Sequence, residues 1–182
     1  MINEDFFKSN EKNDLNRLQE FNNHTKLFDY IEPTSAKAST DATGYTITKF
    51  GEKRKFNIEL KNRNLNLLDD GRISGATSKG EFLDDTIFIE SHKVSSLLLD
   101  MIDGLEPLYL NFLADGKIAI FNLSKLTKRP RSSKYMNILS KGYGKFEMAK
   151  REGLYIVDAA IYDENYNLIK KAGEEWKTKN YS

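Results

Sequence analysis

The 182-residue sequence has no cysteine and only two histidines, His24 and His92. Without thiols there is no disulfide framework and no thiolate chemistry. Two histidines 68 positions apart, with no cysteine to join them, make a structural zinc site a poor reading. No run approaches the roughly 18 to 20 consecutive apolar residues that a spanning helix needs, so no membrane partner is expected. The opening residues, MINEDFF, lack the basic-then-apolar pattern of a secretory signal. With the missing cysteines, this makes a cytoplasmic location the expectation. The glycines at 71, 75 and 80 are not followed by the Gly-Lys-Ser/Thr that ends a P-loop, which excludes that phosphate cradle. Ser124 has no histidine near it in a hydrolase arrangement.

Neither sign of charge dominates: 28 Lys and Arg face 27 Asp and Glu, a net charge of +1. The distribution is less even. Residues 125–151 hold nine Lys or Arg and one acid, Glu147, so this stretch carries +8 and the remainder −7. A charge run is often only a solvated face. It is also the footprint expected of a surface that meets a phosphate backbone. Lys125, Lys128, Arg129, Arg131, Lys134, Lys141 and Lys145 are the candidate contacts, with Tyr135 and Tyr143 among them. Such contacts position a duplex without reading its sequence. With 39% hydrophobic and 30% charged residues, the composition suits one globular domain over 1–182, with 124–182 a less regular basic extension.

Apolar spacing predicts a helix over 5–23, with Phe7, Leu15, Leu18 and Phe21 toward one side and Asn10 or Asn13 as cap. Residues 45–50 and 55–61 read as a hairpin turning at 51–53. In its second strand Phe56, Ile58 and Leu60 point one way, and Asn57, Glu59 and Lys61 the other. Residues 62–81 read as a loop, because Asp69, Asp70, Gly71, Gly75 and Gly80 interrupt any pattern. A short strand at 86–89 precedes a helix that Ser91 would cap, running through Val94, Leu97, Leu98 and Met101 to a stop before Gly104. Residues 108–113 and 117–122 form a second hairpin about Asp115-Gly116, starting after Pro107. Residues 154–157 and 159–162 are one broken strand or two short ones. The tail from Lys170 is polar and peripheral, with Trp176 pinning it. Helix, strand pair, helix, strand pair points to an α/β fold, a central mixed sheet flanked by helices.

The chemistry concentrates at Asp41, Glu59 and Lys61. If the two hairpin strands pair, these three converge near a strand end. Two carboxylates are hard oxygen ligands suited to Mg²⁺ or Mn²⁺, and a metal-bound water is a stronger acid and nucleophile source than bulk water. A lysine near its ordinary pKa of about 10 would orient water and offset charge more readily than act as base. A Glu-x-Lys pair on a strand is also common on protein surfaces, so spacing alone does not define a site.

Asp41 followed by Glu59-Leu60-Lys61 resembles the core of the PD-(D/E)xK nuclease superfamily. The resemblance covers roughly 5–123 and implies a restriction-endonuclease-like core in the order α-β-β-β-α-β. It implies that Asp41 and Glu59 bind Mg²⁺ or Mn²⁺ and that Lys61 is the motif lysine. Thr40 stands where many members have proline. Many members carry a first-helix acid. Glu11 and Glu20 are available here, and Glu20, nearer the strands, is preferred as the third metal ligand. Lys93 stands where a glutamine is frequent and would contact phosphate, with His92 beside it. The expected function is metal-dependent endonucleolytic hydrolysis of DNA, branched or duplex. The expected partner is DNA, and a homodimer would match a two-fold substrate. The alternative is a catalytically inactive nucleic-acid-binding or phage-associated interaction protein on the same scaffold.

Overall fold

The computed structural model describes residues 4–35, 40–77, 80–132, 136–139 and 146–176. Helix α1, Glu4–Thr25, buries Leu18 and Phe21, with Leu15 against the same cluster. It starts earlier than expected, so Asn10 and Asn13 lie inside it rather than at its N-terminal boundary. Strands β1 (Tyr30–Pro33), β2 (Ala42–Ile47) and β3 (Lys53–Asn62) follow as an antiparallel meander. The β2–β3 turn closes through Thr48 N–H to Glu52 O at 2.8 Å, and Gly51 takes φ 82° there, a conformation that side chains with a Cβ resist.

Strands β4 (Asn66–Leu67), β5 (Ile73–Thr77) and β6 (Gly80–Asp84) occupy the stretch expected to be a loop. They pair antiparallel as a small sheet. The glycines do not break it. A Cβ at Gly75 would come within 2.7 Å of both Leu65 and Phe82, so its absence lets those side chains close over β5. Leu67 and Ile73 anchor the sheet in the core.

Next come β7 (Thr86–Glu90) and α2 (Ser91–Leu99). Ser91 is the first helical residue, not the cap. Glu90 precedes it without a side-chain cap bond, and the Ser91 hydroxyl is buried with no hydrogen-bond partner among the described residues. A 3₁₀ turn, Asp100–Asp103, then ends at Gly104, φ 76°. β8 (Leu105–Phe112) begins before Pro107 and pairs with β9 (Ile118–Asn122). The Pro107 carbonyl accepts Leu123 N–H at 3.0 Å.

The C-terminal third adds β10 (Arg131–Ser132), β11 (Met136–Leu139), β12 (Phe146–Ala149), β13 (Arg151–Tyr155), β14 (Ala159–Tyr162) and β15 (Leu168–Lys170). A 3₁₀ turn, Ile156–Asp158, separates β13 from β14 and sends them to different sheets. β13 lies between β10 and β7, whereas β14 and β15 complete the central sheet. Lys170 is not peripheral. It is 5% exposed, and its Nζ donates to the carbonyls of Val157 (2.8 Å), Ala159 (2.9 Å) and Lys171 (3.1 Å). Burial pulls its pKa below the ordinary lysine value. Trp176 does pin the tail: its Nε1 donates to Asp69 O at 2.6 Å, and its ring fills the space that a Gly71 side chain would need.

The central sheet runs β1-β2-β3-β8-β9-β14-β15. β3 and β8 are parallel, and every other neighbouring pair is antiparallel. The fold is therefore α/β with a mixed sheet. One face packs on α1 through Ile58, Leu60, Leu110, Phe112 and Ile118. The other meets β7, α2 and β13 through Tyr109, Phe121, Ile87, Leu97 and Leu154. Among the described residues no helix is long and apolar enough to cross a membrane.

Candidate active site

Alternation along β3 decides which side chains meet. Ile58 and Leu60 enter the α1-facing core. Asn57, Glu59, Lys61 and, just past the strand, Arg63 step along the opposite side. On α2 and the turn after it, Lys93, Leu97 and Asp100 recur at i, i+4 and i+7, one stripe of a helix. Leu97 is buried, and its polar neighbours reach the strand. Lys93 Nζ meets Glu59 Oε2 at 3.1 Å, and Asn57 Nδ2 donates to Asp100. Helix period and strand period thus place α2 over the polar face of β3.

Glu59 is the centre of this arrangement. It is 1% exposed, with Lys61 Nζ at 3.1 Å from Oε1 and Lys93 on the other oxygen. A buried carboxylate needs such partners, because leaving its charge unpaired away from water costs several kcal/mol. Asp41 sits just before β2 and brackets Glu59 from the neighbouring strand. Its N–H donates to Ile58 O at 3.0 Å, and its Oδ2 accepts Leu60 N–H at 2.7 Å. The structure therefore brings Asp41, Glu59, Lys61 and Lys93 to one end of β3.

The charge on Lys61 is fixed by opposing effects. Burial alone would lower its pKa, but the charge and hydrogen bond of Glu59, with a smaller contribution from Glu90, carry it above the ordinary lysine value. Lys61 is therefore a cation at neutral pH. It can hold water or phosphate oxygen and offset developing negative charge; it is not poised to remove a proton. Beside it on β8, Asn111 lies opposite in register and is 0% exposed. Its Oδ1 accepts Arg63 Nε at 3.2 Å, while its buried Nδ2 meets no hydrogen-bond partner among the described residues.

The helix acid that reaches this region is Asp14, not the expected Glu20. Burial raises its pKa, a hydrogen bond from Asn62 opposes that, and the nearby Asp41 charge raises it further. Arg17 joins the group by donating to Asn62. Glu20 points elsewhere: it interacts with the Tyr166 hydroxyl, and helps to raise that phenol's pKa after burial. Six residues separate Asp14 from Glu20, about 240° around a helix, so one face cannot carry both. Asp14 carries the signal that could have found it, being one turn before Leu18 and hence beside the buried stripe. Glu11 lies among residues whose side chains are not described.

The carboxylates suit a hard cation by chemistry, and crowding of Asp14 by Asp41 is what a cation would relieve. They are not gathered into a cage. Among the described residues no three His, Cys, Asp or Glu side chains are grouped to hold one ion. Both Glu59 oxygens are held by lysines.

The expected DNA-contacting residues divide. His92 is exposed at the start of α2. Lys125 Nζ is 3.1 Å from Glu106, which also pairs with Arg54. Arg131 is 2.6 Å from Asp84 and 3.1 Å from Thr86 Oγ1. Lys128 is exposed, its Nζ 5.3 Å from the Tyr155 ring centre, and Arg129 is exposed. Lys134, Lys141 and Lys145 lie outside the described residues. No protein-family model, curated protein or solved structure matches the chain.

Proposed function

We propose that this protein is a divalent-metal-dependent endonuclease that hydrolyses DNA phosphodiester bonds. The observation carrying the reading is the buried Glu59, aligned with Lys61 on one strand and bracketed by Asp41 from the next. The order α1, β1, β2, β3, α2, β8 supports it too, since it follows the α-β-β-β-α-β order of a restriction-endonuclease-like core with β4 to β7 inserted. Asp41, Asp14 and Glu59 would hold Mg²⁺ or Mn²⁺, and such an ion supplies Lewis-acid polarisation and an acidified water when bound. The chain's own part is electrostatic. Lys61, kept protonated, offsets charge at the attacked phosphate, and Lys93 anchors a second phosphate oxygen when it leaves Glu59. Exposed Lys128 and Arg129 would hold the backbone farther away.

One observation favours a second reading, an inactive DNA-binding protein on this scaffold: two lysines already occupy Glu59, and among the described residues no three-ligand group is assembled. The test incubates the purified chain with branched, duplex and single-stranded DNA in Mg²⁺, Mn²⁺ or EDTA. The nuclease cleaves with metal, stops with EDTA, and loses cleavage in both Asp41→Ala and Glu59→Ala. Salt-sensitive binding without cleavage supports the second reading. Neither cleavage nor binding sinks both.

A further inference from the structure

Asp41 leaves the β2–β3 ladder. Ala42 faces Ile58 in register, so a regular continuation would set Asp41 opposite Glu59. Instead the Asp41 N–H donates to Ile58 O at 3.0 Å, and its carbonyl accepts Thr34 N–H at 3.1 Å. Its Oδ2 takes the Leu60 N–H at 2.7 Å. A carboxylate therefore stands where the next backbone acceptor of β2 would be. Departures of this kind re-aim a side chain at the end of a ladder, as bulges do beside active sites.

The residue before Asp41 is held by a chain of buried hydrogen bonds. Thr40 is buried, and its hydroxyl donates to Asn57 Oδ1. Asn57 is buried as well, and its Nδ2 donates to Asp100. A carboxylate offers only acceptors and the threonine hydroxyl is the donor, so one orientation of the Asn57 amide satisfies both neighbours. Leaving either end of that amide unpaired away from water is costly. Thr34 closes on Thr40 from the other side, its hydroxyl donating to Thr40 O.

Asp100 opens the 3₁₀ turn that follows α2. β3 thus receives this helix and turn at two points on one face: Glu59 takes Lys93, and Asn57 takes Asp100. The second contact continues through Thr40 to the residue beside Asp41. We propose that Asn57 is a positioning residue for Asp41. Through Thr40 it holds the carboxylate where it accepts Leu60 N–H, and through Asp100 it ties that placement to the seat of α2. That the placed carboxylate serves a divalent cation rests on the nuclease reading; the hydrogen-bond chain stands on geometry alone.

The test uses the full chain. Thr40→Val cuts the link at Thr40 while keeping the side-chain shape, and Asn57→Asp faces Asp100 with a like charge. Thr40→Ser keeps the hydroxyl, and Asn57→Asp combined with Asp100→Asn again sets a donor against an acceptor. Two quantities are read without DNA: hydrogen exchange of Leu60 N–H against the amides of Leu108 to Phe112, and affinity for Mn²⁺ from its electron paramagnetic resonance. In both Thr40→Val and Asn57→Asp, Leu60 exchange rises at least tenfold relative to the β8 amides, and Mn²⁺ binds at least fivefold more weakly. Thr40→Ser and the double variant return both quantities to within twofold of the parent. Unchanged Leu60 exchange in the two breaking variants overturns the positioning role. So does a rise shared equally by β8, which is what a purely stabilising network gives. If Asn57→Asp does not fold, Thr40→Val decides alone. Unmoved Mn²⁺ affinity beside faster Leu60 exchange overturns the link from Asp41 to the cation. A parent that neither binds Mn²⁺ nor cleaves DNA removes the nuclease reading, and Leu60 exchange still decides the positioning.

Discussion

Glu59 and its two lysines form a unit whose members depend on one another. Glu59→Leu removes the carboxylate that both Lys61 and Lys93 pair with, and breaking a buried pair this way costs about 3–5 kcal/mol. Urea unfolding at pH 7 will show a lowered midpoint, with Glu59→Gln intermediate because it keeps the shape and one acceptor. The Lys61 pKa lies above its unfolded value of 10.5. Its contribution to stability is therefore complete below that value and lost as pH rises through the folded pKa. Lys61→Met should lack that alkaline step in a pH series of thermal midpoints. Asp14 titrates in the other half of the pH scale. Its pKa is raised above 3.8, so its ionisation in the fold is penalised once pH exceeds the folded value. Asp14→Asn, which keeps an oxygen for Asn62, is expected to melt higher than the parent at pH 7 and to match it near pH 3. A parent-like midpoint at pH 7 would refute the crowding. These pairings were legible only in part: alternation put Glu59 beside Lys61, but that Lys93 takes the second oxygen depends on where α2 lands.

Elements were read best where one period ran without interruption. The α1 stripe from Leu15 to Phe21, the β2–β3 hairpin and the β8–β9 hairpin all follow their apolar spacing, while the Phe7 side chain lies outside what is described. The sheet β4–β5–β6 was missed because its glycines serve packing, which a turn reading cannot distinguish from chain reversal. Gly71 is a different case, since it combines φ 81° with Trp176 carbons 2.6 Å from a built Cβ. Gly71→Ala therefore meets both a backbone penalty of about 1–2 kcal/mol and displacement of the indole. Denaturant titration will show the loss, and hydrogen exchange will show it concentrated in β4 and β5. A uniform change across the central sheet would contradict that placement. The broken pattern at 154–162 had a local cause too. Asp158, buried in the 3₁₀ turn, accepts Thr127 N–H at 2.9 Å and Lys128 N–H at 3.2 Å. That turn lets one stretch of chain serve two sheets.

At the scale of the whole molecule, a basic run in sequence need not be a basic surface. Lys125 and Arg131 are committed to Glu106 and Asp84, while Lys128 and Arg129 are exposed. If DNA is the partner, neutralising Lys128 or Arg129 lowers the slope of log affinity against log salt by about one per contact and leaves stability unchanged. Arg131→Gln instead lowers the thermal midpoint. An unaltered salt slope in a Lys128→Gln, Arg129→Gln double variant would remove this edge from the interface. Composition could show the charge asymmetry but not its pairing, because the acids that neutralise it are up to 47 positions away. The parallel β3–β8 pair has a further consequence, for the order of folding. From Lys55 with Leu105 to Asn62 with Phe112, each residue of β3 faces one fifty positions later. Closing so long a loop is entropically costly and is repaid only when both strands are seated. Lys93 lies within that loop, on the helix that must dock as it closes. The β2–β3 hairpin can therefore form with Glu59 still hydrated, and the carboxylate acquires its second lysine only when that long loop closes and α2 docks.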